Sequence, residues 1–171
     1  MLELSPGVPI DVPVLTDHMR VGIPAVSEAL GPFVLIGDGR LEPSRAFRFV
    51  TTRAAPFEGA QPSPLADSVV YGLRKRTKRF EGVVLVGRAD SNDVSIQHTS
   101  ISKLHARLRG FDGDGFFVED AGSRNGTFVN QARVEDLTPV RCGDVLCFGR
   151  RPFRVRRTER LLDALAASAR L

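Results

Sequence analysis

The stretch that decides the fold runs from Gly87 to Asn130 and reads GRADSNDVSIQHTSISKLHARLRGFDGDGFFVEDAGSRNGTFVN. Within it, apolar and polar residues alternate over Leu104–Phe111, and the turn sequence Asp112–Gly115 separates this run from the next apolar run, Phe116–Asp120. Alternation with a period of two is typical of a half-buried β-strand, and glycine-rich clusters mark the turns between strands. The stretch therefore predicts short strands whose connecting loops present polar side chains.

Further strands are predicted on both sides of this stretch. Val83–Val86 is a continuous apolar run before it, and Val94–Ile96 is a short run inside it. Thr127–Asn130, Val145–Phe148 and Phe153–Arg156 continue the pattern behind it. Many short strands with glycine-rich turns favour an all-β chain that folds as a β-sandwich.

The first part of the chain is harder to interpret. Residues 1–16 are rich in proline and small apolar residues, which predicts an extended arm, and Asp17 is a candidate N-cap for a helix to Leu30 that Pro24 interrupts. Two strands are expected, at Phe33–Ile36 and Phe47–Thr52. The proline-rich loop 54–66 follows, and the sequence places a domain boundary there: an N-terminal extension of unknown role (1–66) before the main domain (67–157).

Two further segments have alternatives. Ser68–Leu73 is expected to be a strand, although Val70 and Leu73 also have helical spacing, and the basic run Arg74–Arg79 reads as an exposed turn that could instead contact nucleic acid. Residues 158–171 are predicted to form a short amphipathic helix with Thr158 as N-cap, which either packs on the sandwich or binds a partner.

Composition limits the class of protein. The sequence contains no apolar run near the roughly 20 residues that cross a bilayer, and its first residues do not resemble a signal peptide. Cys142 and Cys147 are its only cysteines, which argues against a disulfide scaffold or a zinc site and favours reduced thiols in the cytoplasm. Charge is uneven: residues 1–73 carry a net −3, whereas residues 74–160 hold 18 basic and 11 acidic side chains, a net +7. That excess suits a partner that carries phosphate.

Several side chains of this basic half are suited to binding a phosphate. Arg88 follows a buried strand, and Ser102 and Lys103 precede another, so two loops could bring a guanidinium, a hydroxyl and an ammonium to one anion. The amide of Asn125, in a third loop, can both donate and accept, which suits a peptide backbone.

Taken in order, Gly-Arg, Ser-Lys-Leu-His-Ala, Asp-Ala-Gly-Ser, Asn-Gly-Thr-Phe-Val-Asn and a later Gly-Asp resemble the signature of forkhead-associated (FHA) domains. This resemblance covers about half of the chain and implies an FHA-type sandwich of two antiparallel sheets. It further implies that Arg88, Ser102 and Lys103 contact a phosphate, that Arg124 lies in the loop that completes the pocket, and that Asn125 binds the peptide main chain. Positions that the family uses to shape the fold are Gly87, His105, Asp120, Gly126 and Asn130.

The function that the resemblance implies is binding of phosphothreonine in partner proteins, as an adaptor in Ser/Thr-kinase signalling, with no cofactor, nucleic acid or membrane. An alternative is a phosphate-independent interaction or oligomerisation module. An enzyme is disfavoured, because Ser102 and His105 are expected on opposite faces of a strand and no nucleophile elbow is present. Binding to nucleic acid is disfavoured too, because the sequence has no Trp and a single Tyr for base stacking.

Overall fold

A computed structural model describes residues 4, 7–39 and 65–169, and these form two packed β-sheets with helices on one outer face. The seven-stranded sheet has the order β1-β3-β2-β12-β11-β8-β9, and the five-stranded sheet has the order β10-β7-β6-β4-β5. The first sheet comprises β1 (Ile10–Asp11), β2 (Phe33–Asp38), β3 (Ser68–Gly72), β8 (Thr127–Val129), β9 (Ala132–Arg133), β11 (Val145–Phe148) and β12 (Arg151–Arg157). The second comprises β4 (Val83–Gly87), β5 (Val94–Ser95), β6 (Ala106–Asp112), β7 (Gly115–Asp120) and β10 (Thr138–Arg141).

The expected all-β sandwich is thus confirmed. Neighbouring strands are antiparallel with one exception, since β4 and β5 run parallel, with Val86 opposite Val94. The main core lies between the sheets, where Phe33, Phe148 and Phe153 are almost fully buried. Burial of such large apolar side chains from both sheets is the main force that holds the layers together.

The N-terminal segment is part of this sandwich. Strand β2 lies inside the seven-stranded sheet, between β3 and β12, and its Phe33 and Leu35 belong to the inter-sheet core. The boundary expected after residue 66 therefore falls between two paired strands of one sheet. The strand expected at Phe33–Ile36 is present and extends to Asp38, whereas the one expected at Phe47–Thr52 lies outside the described residues.

Three helices cover part of the outer face of the seven-stranded sheet: α1 (Val12–Val21), α2 (Ile23–Leu30) and α3 (Thr158–Ser168). They form a second apolar cluster with the outward-facing Val34 and Val70. Leu161 and Leu162 of α3 are almost fully buried there, so the C-terminal helix packs on the sandwich. None of the helices in the described part of the chain is long and apolar enough to cross a membrane.

Three helix predictions were wrong. The arm predicted for residues 1–16 turns helical at Val12, and Asp11, rather than Asp17, occupies the N-cap position. Proline misled the prediction, because in both α1 and α2 it occupies the first turn, where it needs no N–H partner. The helix breaks at Gly22, and α2 begins at Ile23 with Pro24 in its first turn. In α3 the N-cap position is Arg157.

Thr158 is therefore the first helical residue of α3. Its buried hydroxyl donates a hydrogen bond of 2.5 Å to the carbonyl of Gly31, which ties the start of α3 to the end of α2.

Candidate functional site

Three loops meet at one end of the sandwich and carry the predicted site residues. They are residues 88–93 after β4, residues 96–105 before β6, and residues 121–126 between β7 and β8. We call them together the three-loop surface. The main chain joins the first two, since the N–H of Arg88 donates to Ser102 O at 2.9 Å and that of Ala89 donates to Lys103 O at 3.1 Å.

The third loop is tied to the second by two side chains. Ser102 Oγ accepts the main-chain N–H of Arg124 at 3.0 Å, and Asn125 Nδ2 donates to Ser100 O at 2.8 Å. These bonds leave Ser102 its hydroxyl hydrogen to donate, and leave Asn125 its carbonyl oxygen and a second N–H. The structure therefore brings together all five residues that the sequence singled out for binding: Arg88, Ser102, Lys103, Arg124 and Asn125.

The three cations of this surface have no ion-pair partners among the described residues. Arg88 uses Nε to donate to Ile101 O at 3.2 Å, which directs the rest of its guanidinium away from the main chain. Among the described residues, no carboxylate pairs with Arg88, Lys103 or Arg124, and all three are exposed. Three cations and a hydroxyl on joined loops favour the binding of an anion with several acceptor oxygens.

His105 lies beneath the surface and links its loops. Its Nδ1 accepts the main-chain N–H of Ser102 at 3.0 Å, so the ring hydrogen is on Nε2, which donates to Gly126 O at 3.0 Å. Burial lowers the pKa of His105, against the opposing influence of the Gly126 carbonyl and the nearby Asp120. The ring is therefore neutral at pH 7, and it acts as a spacer between the Ser102 loop and the Asn125 loop.

The sequence expectation about Ser102 and His105 was wrong in its geometry. The two residues lie in the loop before β6, not on opposite faces of a strand, and they are joined through the Ser102 main chain. The Ser102 hydroxyl instead meets the Arg124 N–H, so the imidazole is not placed as a base for it.

Asp120 shapes the third loop from within. Its two carboxylate oxygens accept from the N–H groups of Gly122 and Ser123 and from the hydroxyls of Ser123 and Thr127, over 2.6–3.0 Å. Burial alone would raise the pKa of Asp120, but these hydrogen bonds outweigh it and lower the pKa. Asp120 is therefore a charged anchor that holds the loop carrying Arg124 and Asn125.

Two of the motif positions require their residue type for backbone reasons. A Cβ at Gly87 would lie 2.3 Å from Lys103 O, so only glycine lets the first two loops approach. Asn130 has φ +47° in the turn between β8 and β9, where Oδ1 accepts from the Val145 N–H and Nδ2 donates to Asp144 Oδ1, both at 2.9 Å. That bond to Asp144 explains why the later Gly-Asp belongs to the pattern.

Sequence reasoning missed two buried polar residues, Asn92 and Asp93. Asn92 Nδ2 donates to Ala89 O and to Lys103 O at 2.8 and 2.6 Å, which closes the first loop onto the second. The fully buried Asp93 pairs with Lys75 Nζ at 2.7 Å and accepts three main-chain N–H groups, from Arg76, Thr77 and Leu85. Ser-Asn-Asp between two strands has the composition of an exposed turn, and only its position before the buried Val94 could have indicated otherwise.

The basic run Arg74–Arg79 proves to be partly structural. Lys75 is bound to Asp93, and the Arg76 guanidinium donates to the carbonyls of Asp90 and Asn92. The run therefore braces the loop that follows Arg88. Among the described residues no group of three His, Cys, Asp or Glu side chains is placed to hold a metal ion.

Comparison with known proteins identifies the family of this chain. Residues 84–149 match the model of the FHA domain. The FHA domain-containing protein FhaB of Mycolicibacterium smegmatis is 32% identical over 118 residues, which cover 69% of this chain and 68% of that protein. An ABC transporter ATP-binding/permease protein of Mycobacterium tuberculosis is 39% identical over 94 residues, which cover 53% of this chain.

The fraction of each relative's length that this chain spans differs widely. The chain spans 11% of the transporter protein and 48% of FhaB from Mycobacterium tuberculosis. A solved structure from a study of phosphothreonine-dependent FHA domain interactions is 31% identical, covers 51% of this chain and 82% of its own, and has a TM-score of 0.43. With its signature residues gathered on one loop surface, and with a relative aligned over two thirds of both chains, this protein belongs to the FHA-domain family.

Proposed function

We propose that this protein is a phosphothreonine-dependent binding module that recognises phosphorylated partner proteins in Ser/Thr-kinase signalling. The observation that carries the proposal is that the joined loops carry the hydroxyl of Ser102 and three cations, Arg88, Lys103 and Arg124, which have no ion pair among the described residues. A phosphothreonine side chain carries about −1.5 to −2 charges at neutral pH and offers three acceptor oxygens. Its charge and its geometry both match that donor set.

In this proposal the residues divide their work. Arg88 presents a planar fork to two phosphate oxygens, Lys103 and Arg124 add charge, and the Ser102 hydroxyl donates to a third oxygen. Asn125, held by Ser100 O at 2.8 Å, uses its free amide atoms to fix the peptide main chain beside the phosphate. Selection of threonine over serine requires a niche for one methyl group, which is worth roughly 1–3 kcal/mol.

The test compares matched peptides that carry phosphothreonine, phosphoserine or plain threonine in a degenerate background. Binding is measured by calorimetry to the wild-type protein, to Arg88→Ala and to the control Arg141→Ala. Arg141 is also an exposed arginine, but it lies opposite Gly115, at the end of β7 that is farthest from Asp120 and the three-loop surface. We expect only the phosphothreonine pool to bind, Arg88→Ala to abolish binding, and Arg141→Ala to leave it unchanged.

The rival function is a phosphate-independent interaction module. It would be the better supported function if no phosphopeptide pool bound, or if Arg88→Ala and Arg141→Ala had the same effect on binding. The cations without ion-pair partners among the described residues at the three-loop surface support the phosphate-dependent function over this rival.

We further propose that the protein performs no catalysis and works in the cytoplasm. The arrangement of Ser102 and His105 supports the first point, since no base meets the hydroxyl. The second is supported by Cys142 and Cys147, both of which are free thiols. Incubation with phosphothreonine peptides tests for phosphate release, which we expect to be absent.

A further inference from the structure

A cation outside the predicted set lies next to the three-loop surface. Arg133 belongs to the edge strand β9, opposite Phe128 of β8, and the two side chains share the outer face of the seven-stranded sheet. The guanidinium carbon of Arg133 is 3.5 Å from the point that a Cβ on Gly126 would occupy. Gly126 directly follows Asn125, so Arg133 borders the segment proposed to hold the peptide main chain.

Because Gly126 has no side chain, the Arg133 guanidinium is accessible from the side where the peptide is proposed to bind. Two atoms of the Phe128 ring lie 3.3 Å from the same point, so a side chain at position 126 would press on both the ring and the guanidinium. With φ +84°, Gly126 also adopts a conformation that other residues rarely take. The result is an exposed guanidinium next to a half-buried aromatic ring and bare main chain.

Unlike several other arginines, Arg133 forms no ion pair with a described carboxylate. Arg109 pairs with Glu119, and Arg157 pairs with Asp114. Within the described ranges no carboxylate or carbonyl pairs with Arg133, and its side chain is exposed. An unpaired guanidinium that borders a peptide site is available for a charge on the peptide.

We propose that Arg133 is a specificity-determining residue that binds the carboxylate of an Asp or Glu flanking the phosphothreonine. This inference rests on the proposed function of the three-loop surface. A carboxylate is the occupant that fits, because one planar guanidinium binds its two oxygens with two parallel hydrogen bonds. A second phosphate would need several converging donors, whereas a carboxylate needs only one guanidinium.

The test scans Asp, Ala and Lys through each position on both sides of phosphothreonine in an otherwise uniform peptide. For the wild-type protein we expect one position at which Asp binds about threefold to fivefold more tightly than Ala, the upper range for an exposed ion pair. In Arg133→Ala that preference disappears, while the all-Ala phosphopeptide still binds. In Arg133→Glu the same position prefers Lys to Asp.

Controls separate this inference from folding and from the proposed function. Arg141→Ala keeps the Asp preference, and thermal unfolding verifies that all variants are folded. The inference is overturned if phosphopeptides bind but no position distinguishes Asp from Ala, or if the preference survives in Arg133→Ala. Failure of every phosphopeptide to bind the wild-type protein would overturn the proposed function and this inference together.

Discussion

At the scale of single residues, the buried carboxylate of Asp93 supports the loop that carries Arg88. Replacing Asp93 with Ala leaves the Lys75 ammonium and three main-chain N–H groups without their acceptor. We expect Asp93→Ala to lower the free energy of unfolding by about 3 kcal/mol, measured by urea denaturation. Asp136→Ala is the control, since this exposed carboxylate has no such bonds and should change stability by less than about 0.5 kcal/mol. Equal effects of the two substitutions would contradict the anchoring role.

His105 makes stability depend on pH in a defined direction. Burial lowers its pKa below the usual 6.5, and the pKa of His98 is also lowered, by burial and by Arg151. As pH falls through about 6.5, the two histidines become protonated in the unfolded chain but stay neutral in the folded protein. The stability of the fold therefore declines. We expect weaker resistance to urea at about pH 5 than at about pH 7.

One substitution separates the contributions of His98 and His105 to this pH dependence. His98→Asn removes one contribution, so the decline that remains reports His105, and an NMR titration of its ring should give a midpoint below about 6.5. A stability that is constant over this range in the His98→Asn variant would count against a neutral, buried His105.

The residue scale also shows where sequence reasoning succeeds and where it stops. Arg88, Ser102 and Asn125 could be found because motif order and spacing specify which loops carry them. Asn92 and Asp93 could not, because the sequence does not show that a polar turn is buried, and most of their partners are main-chain groups that any residue supplies. Arg133 was missed for a similar reason, since only the pairing of β9 with β8 places it beside Gly126.

At the scale of elements, the turn between β8 and β9 is informative. Asn130 and Gln131 have φ +47° and φ +73°, as a two-residue type I′ turn requires. Gln131 has no side-chain hydrogen bond to the described residues that would offset this conformation, so we expect Gln131→Gly to stabilise the protein by about 1 kcal/mol. Asn130→Gly should instead destabilise it, because the bonds to Asp144 and Val145 are lost. Thermal unfolding of both variants measures the difference, and shifts of the same sign would refute the assignment.

The helices illustrate why element boundaries were predicted less well than strands. Val12, Leu15 and Met19 have helical spacing and are buried, but Pro13 within this run was interpreted as evidence for extended chain. Proline favours both an extended segment and the first turn of a helix, and the choice is made by the sheet face available for packing. That face is supplied by Val34 and Val70, which a local reading of residues 1–16 does not include.

At the scale of the whole molecule, different structures lie at the two ends of strand β12. β12 runs from Arg151, near the three-loop surface, to Arg157, where α3 begins, so α3 starts at the end of the sandwich away from the proposed peptide site. The excess of positive charge in residues 74–160, a net +7, lies in the part of the chain that contains this site. Phosphopeptide affinity should therefore be governed by electrostatics, and the helical layer should not contribute to it.

We therefore predict that the affinity for phosphothreonine peptides falls as the salt concentration rises. Between about 0.05 and 0.5 M NaCl we expect at least a several-fold weaker phosphothreonine affinity, because screening shortens the reach of exposed charges. Calorimetry over a salt series measures this dependence. Leu161→Ala serves as the control: it weakens folding by about 2–5 kcal/mol but leaves the salt dependence intact wherever the protein remains folded. An affinity that does not respond to salt would argue against a phosphate-centred site.

The pairing of β2 with β12 also has a consequence for how the chain is made. Phe33 lies opposite Arg157, so the strand that a ribosome releases early cannot be paired on that side until residue 157 has emerged. Every shorter nascent chain exposes an open edge on β2, with the apolar side chains of Val34 on one face of the strand and Leu35 on the other. Such pairing between distant segments is slow and leaves strand edges open to aggregation. During synthesis, therefore, completion of the seven-stranded sheet waits for the C-terminal strand, and chaperone demand should be greatest just before β12 leaves the ribosome.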